Sequence, residues 1–170
     1  MNRKATTTEE VLELHASIVM KVIWGLTSSM DDARDIFQET FLQHHVAVSN
    51  GRVIHNPKAW LCQTARNGAF KLRRLHQRQA VSVADEVIHQ HPAHTPNPDN
   101  ALLLDRIRDL AATLPERQSQ VFSMRNFEQL SYAEIADQLG CTKTAARASG
   151  YKALKTIRSL MNGRQEGSHV

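Results

Sequence analysis

Along most of the chain, apolar positions recur at steps of three and four, the spacing of a helix that buries one face. The first helix is predicted from about Thr8 to Leu26, its seam being Val11 or Leu12, His15, Ile18 or Val19, Val22 or Ile23, and Leu26. Ser28, Ser29, Asp31 and Asp32 then mark a turn and a new N-terminus, where acids favour the helix dipole. Ala33, Ile36, Phe37, Phe41 and His44 or His45 supply the buried stripe of a second helix. Residues 46–56 read as a loop through Asn50-Gly51 into Asn56-Pro57, a cap with proline in the first turn. A third helix follows with the seam Leu61, Ala65, Gly68, Leu72 and Leu75, and Trp60 beside it. The period is lost over the next stretch, 81–100, where Pro92, Pro96 and Pro98 argue for a flexible linker. It returns at Leu103, Leu104, Ile107, Leu110 and Ala111, and Thr113-Leu114-Pro115-Glu116 opens a helix that carries Val121, Phe122 and Met124.

The stretch from Leu130 to Arg158 has the most specific pattern. Ser131 and Glu134 form a capping box, Tyr132, Ile135, Ala136 and Leu139 an apolar stripe, and Gly140 is placed to take the left-handed conformation that ends a helix. Thr142 is an N-cap for a longer helix with the inner seam Ala146, Gly150, Ala153, Ile157 and Leu160. Its outer face carries Thr144, Arg147, Tyr151, Lys155 and Arg158, with Lys143 at the start and Lys152 to one side, and no acid occurs from Lys143 to Arg164. Two helices meeting at a glycine turn, the second basic, form a helix-turn-helix suited to phosphates and base edges in a DNA major groove. A solvated basic face is the plainer alternative.

Composition narrows the class. Seven glycines and five prolines in 170 residues, with few β-branched runs, argue against a sheet and for an all-α fold of two small helical domains, 8–80 and 101–162. No apolar run approaches the roughly 18 residues of a membrane span, and the first ten residues lack the core of a signal peptide, so a cytoplasmic protein is expected. Cys62 and Cys141 are expected as reduced structural thiols. No cofactor or metal is expected: His15 has no partner ligand one turn away, and His89, His91 and His94 match no closed site. The polar residues 1–8 and the tail from Asn162 are expected to be frayed.

A net charge of +4 suggests a polyanionic partner only where the charge is clustered. It clusters twice, in the basic face just described and between Arg52 and Gln79, where Arg52, Lys58, Arg66, Lys71, Arg73, Arg74 and Arg78 occur with no acid. Asp35, Gln38 and Glu39 give the second helix an opposite, acidic-amide surface, which is either solvated or docks a basic protein.

The order of these segments resembles bacterial RNA polymerase sigma factors of the extracytoplasmic-function class, over roughly residues 10–160. Asp32-Ala-Arg-Asp-Ile-Phe-Gln-Glu-Thr-Phe41 is similar to the family's segment that binds the clamp helices of the polymerase β′ subunit. Trp60-Leu-Cys-Gln-Thr-Ala-Arg-Asn67 and the basic run after it resemble the helix that engages and opens the −10 promoter element. Leu114-Pro-Glu-Arg-Gln118, with Leu130-Ser-Tyr-Ala-Glu-Ile-Ala136 and Gly140, resembles the domain that reads the −35 element.

The resemblance implies a dissociable specificity subunit without catalytic residues. Asp35, Gln38 and Glu39 would contact core polymerase, whose β flap is a further partner. Asn50, Asn56, Lys58, Arg66, Asn67, Lys71 and Arg74 would hold the opened −10 strand, the Asn50–Asn56 loop capturing a flipped base. Thr144, Arg147 and Tyr151 would face −35 base edges, and Lys143, Lys152, Lys155 and Arg158 the phosphates. An inhibitory anti-sigma partner is also implied. The chain departs from the pattern at Ala148-Ser149-Gly150, where the family has serine-arginine-leucine, so one cation is lost. Gly150 either allows a close approach of the preceding helix or loosens the reading helix, since glycine costs about 1 kcal/mol against alanine. The rival readings are a dimeric helix-turn-helix regulator acting without polymerase and a nucleic-acid enzyme. The only dense acids, Asp31, Asp32, Asp35 and Glu39, point in several directions and make the enzyme the weaker rival.

Overall fold

The computed structural model describes residues 7–27, 29–82 and 98–162, which form seven α-helices and no strand. Contacts divide the chain into two compact units, Met1–Pro92 and Ala93–Val170. The linker histidines His89, His91 and His94, Ser28, the first six residues and the tail beyond Asn162 lie outside the described residues, as does the side chain of Leu104.

In the first unit α1 (Thr8–Trp24), α2 (Met30–Ser49) and α3 (Pro57–Ser82) pack each against the other two. Local chemistry sets their ends. Thr7 caps α1 and forms a full capping box with Glu10, and the Ser29 hydroxyl accepts the Asp32 N–H at 3.2 Å to start α2. Gly51 turns left-handed at φ 81°, and the Arg52 N–H reaches back to the Ala47 carbonyl at 2.9 Å. The loop expected at 46–56 therefore begins later: Val46 to Ser49 stay helical, because the glycine that permits the reversal comes only at 51. The Asn56 side-chain oxygen accepts the Ala59 N–H at 3.1 Å and opens α3.

The core of this unit is Val11, Val19, Val22, Ile23 and Leu26 against Ala33, Ile36 and Phe41 and against Leu61, Cys62, Ala65, Ala69 and Phe70. Each buried aliphatic side chain of this size stabilises by about 1.5–3 kcal/mol. Leu12 and Leu75 fall outside the core at 38% and 49% exposure. Val11 takes the inward position instead of Leu12, and Leu75 lines a surface groove. Gly68 brings α3 close to α2, since a β-carbon there would stand 3.3 Å from Ile36 Cγ2.

The second unit contains α4 (Pro98–Thr113), α5 (Glu116–Asn126), α6 (Tyr132–Leu139) and α7 (Lys143–Asn162). Both ends of the expected linker are helical, α3 running through Ser82 and α4 starting at Pro98, whose missing N–H costs nothing in a first turn. Helices α5 and α7 each contribute to two core clusters. One holds Ala111, Leu114, Phe122, Ala153 and Ile157; the other holds Val121, Met124, Ile135, Ala136 and Ala146. Leu160 is 41% exposed, because Met161, one helical turn beyond Ile157, takes the inner place. Leu103 is likewise exposed at 44%. Both cysteines are free thiols, Cys62 buried and Cys141 half-buried. Among the described residues, no helix is long and apolar enough to cross a membrane.

Candidate nucleic-acid interface

Helices α6 and α7 meet as the spacing predicts. The Ser131 N–H donates to Glu134 Oε2 at 2.7 Å and the Glu134 N–H to the Ser131 hydroxyl at 3.3 Å, closing the capping box. The backbone hydrogen bond from Ser131, then its hydroxyl, holds the Glu134 carboxyl below its ordinary value. Gly140 is left-handed at φ 59° and ψ 44°, the Cys141 N–H bonds the Ala136 carbonyl at 3.0 Å, and the Thr142 hydroxyl accepts the Ala145 N–H at 3.1 Å. The turn before α6 is pinned as well. Arg125 donates to the Leu130 carbonyl at 2.9 Å and lies 5.2 Å from the centre of the Tyr132 ring.

Gly150 packs against that same ring: a β-carbon there would stand 2.8 Å from the Tyr132 hydroxyl oxygen. Close approach is thus the reason for the glycine. With Ala146, Gly150, Ala153 and Ile157 turned inward, Lys143, Thr144, Arg147, Tyr151, Lys152, Lys155 and Arg158 are all exposed, Tyr151 at 68%. Ala148 is exposed at the middle of the same face. A list of polar and charged side chains passes over it, although its place opposite the seam is legible from the helical period.

The basic run of the first unit sorts less uniformly. Asn67, Lys71 and Arg74 form an exposed stripe on α3, which Arg78 continues. Arg74 Nε also donates to the Phe70 carbonyl at 3.2 Å. Arg66 does not join them. At 3% exposure it is buried, because it lies one turn from both Cys62 and Phe70 on the face turned to the core. Asn50, Asn56 and Lys58 are exposed around the loop that leads into α3, but the Asn56 oxygen is already engaged as the helix cap. Behind the start of α3, Trp60 meets His44 edge-on at 5.7 Å between ring centres. His44 is 1% exposed and 3.2 Å from the Thr8 hydroxyl, and burial above all, then His45 and His15, lowers its pKa.

Asp35, Gln38 and Glu39 are exposed on α2. Asp35 and Glu39 share a groove of about 450 Å³ with Lys71, Arg74 and Arg78 across from them, and Ile36, Leu72 and Leu75 supply its apolar lining. Gln38 is not part of its wall. Two surfaces that are separate in sequence, one acidic and one basic, therefore adjoin along α2 and α3. Among the described residues, no three His, Cys, Asp or Glu side chains gather to hold a metal ion.

Two family models match, Sigma-70 region 2 over residues 11–79 and Sigma-70 region 4 over 104–157, together more than half of the chain. The ECF RNA polymerase sigma factor SigF of Caulobacter vibrioides is 31% identical over 140 residues, covering 80% of this chain and 74% of that protein. The ECF RNA polymerase sigma factor SigE of Mycolicibacterium smegmatis is 27% identical over 161 residues, 90% of this chain; the chain spans 61% of that relative's length. In structure, the fold is similar to the sigma factor RpoE of Bartonella quintana, solved in complex with the anti-sigma factor NepR, with a TM-score of 0.69, 22% identity and coverage of 91% of this chain and 96% of that one. The two helical units, their order and the helix-turn-helix of the second all agree with these matches, and the chain belongs to the ECF family of RNA polymerase sigma factors.

Proposed function

We propose that the chain is a promoter-specificity subunit: it joins core RNA polymerase, contacts two DNA elements and supplies binding energy, while the polymerase supplies the chemistry. Asp35, Gln38 and Glu39 of α2 dock on the β′ clamp helices, and the second unit also meets the β flap. Asn50, Asn56, Lys58, Asn67, Lys71 and Arg74 hold the melted −10 strand, on which cationic contact to phosphates and stacking supply most of the affinity. Helix α7 enters the major groove at −35, with Thr144, Arg147 and Tyr151 at base edges and Lys143, Lys152, Lys155 and Arg158 at phosphates. The working bounds are 8–80 for the polymerase and −10 domain and 101–162 for the −35 domain, both acting in the cytoplasm.

The observation that carries this reading is the pairing of two exposed cationic helix faces, on α3 and α7, each inside the segment that matches its own sigma region. A dimeric regulator would have no use for the region 2 unit. Arg66, at 3% exposure, is left out of this set. The RpoE complex with NepR supports a protein inhibitor as a further partner. The test is to mix the chain with core polymerase and a promoter selected from random sequence, and to follow permanganate reactivity of the −10 thymines. Strand opening that needs both components supports the reading; opening by core alone, or none with both, refutes it.

A further inference from the structure

Over its first turns the centre of the α7 outer face is uncharged, although its margins are cationic. Opposite the buried seam of Ala146, Gly150, Ala153 and Ile157 lie Thr144 and Ala148, one helical turn apart, with the Tyr151 ring next to them. Arg147 borders this strip on one side and Lys152 on the other, and Lys155 closes its far end. All of these residues are exposed. The first turns of a helix in the major groove carry the base contacts, so Thr144 and Ala148 stand where bases are read. Ala148 has no hydrogen-bonding group, and the outward end of its side chain is a methyl. In the major groove only thymine offers an apolar feature, its C5-methyl, and alanine and the threonine methyl are natural partners for it. Arg147 beside them has the chemistry to take guanine O6 and N7.

We infer that Ala148 is a specificity-determining residue, which with Thr144 recognises the C5-methyl of a thymine adjoining the base pair read by Arg147. The inference rests on the −35 role proposed for α7 and adds the base chemistry that it selects. A long or charged side chain in place of Ala148 would cover the methyl contact.

The test uses the full chain with core polymerase on a promoter selected from a library with randomised −35 sequence. Arg147→Ala, which relaxes selection at one G·C pair, locates the neighbouring position. Each −35 thymine is then replaced singly by deoxyuridine, which removes the methyl and keeps every hydrogen-bonding group. At the thymine next to the Arg147-dependent pair, uracil is expected to weaken promoter binding about fourfold, the factor that burial of one methyl gives. In Ala148→Gly the loss falls below twofold, and Ala148→Ser, which keeps a side chain on the helix, gives the same result if the glycine variant is poorly folded. Tolerance of uracil at every position, an undiminished fourfold loss in both variants, or selection of no thymine beside that pair overturns the inference while leaving the −35 role intact. A selected −35 sequence that binds no better than a scrambled one overturns both.

Discussion

The Tyr132 phenol of α6 lies across Gly150 of α7, so that a β-carbon on the glycine would stand 2.8 Å from the hydroxyl oxygen and 3.1 Å from ring carbon Cε1. Arg125 holds the same ring from α5, with its guanidinium carbon 5.2 Å from the ring centre. The missing side chain therefore leaves room for the Tyr132 ring against α7. Its backbone cost is set against a contact that no larger residue could make.

Gly150→Ala should consequently destabilise the second unit although alanine is the better helix former. The propensity gain of about 1 kcal/mol is outweighed by overpacking of roughly 1–3 kcal/mol. Tyr132→Phe removes the nearest atom and should recover part of the loss when combined with it. Urea unfolding of both single variants and the double variant measures this coupling.

Ser131→Ala removes the hydroxyl that caps α6 and should cost about 1 kcal/mol. It also removes one of the hydrogen bonds that keep Glu134 ionised below its ordinary pKa of 4.5. A carboxyl lowered in the folded state stabilises above its unfolded value and loses that contribution as pH falls through the folded one. The difference between wild type and variant should therefore shrink below about pH 4.5.

His44 has the opposite protonation chemistry but the same sign of pH dependence. Its folded pKa lies below the unfolded value of 6.5, so the unfolded chain binds the extra proton first. Its effect on stability is fully favourable above pH 6.5 and declines as the medium is acidified below it. Thermal unfolding from pH 7.5 downward should show a steeper loss for wild type than for His44→Gln; parallel curves would contradict the burial argument.

Arg66 and Lys71, though neighbours in one basic run, should separate by experiment. Arg66→Ala should cost the fold roughly 2–3 kcal/mol, because the buried guanidinium leaves the groups around it unmatched. Lys71→Ala should leave the melting midpoint in place and reduce the salt slope of promoter binding by about one. Salt titration of the holoenzyme on DNA, alongside thermal unfolding, distinguishes the two.

These contrasts mark how far the sequence alone carries. Gly140, the Ser131 box and the Thr142 cap were legible because a turn and two caps are settled by residues within one helical turn of each other. Thr7 and Glu10 have the same spacing and could have been found in the same way. The burial of Arg66 does not show while cations are pooled along the run and not assigned to helix faces; Cys62, Arg66, Ala69 and Phe70 mark the buried face once the period is applied. Leu160 gave way to Met161 because a seam can step by three or four, and only packing against α4 and α5 decides. The role of Gly150 and the adjoining of Asp35 and Glu39 with Lys71 and Arg74 depend on partners from another helix, which no local pattern contains.

The central claim is that an acidic face of α2 grips polymerase while cationic faces of α3 and α7 hold two spots on one duplex. Run-off transcription by core polymerase on a selected promoter tests it most directly. A defined transcript is expected only when the chain is present. It should be lost in the Asp35→Ala, Gln38→Ala double variant, whose two exposed positions leave helical content and melting midpoint unchanged. Absence of any transcript at every selected sequence, or an unimpaired transcript from the double variant, would contradict the account.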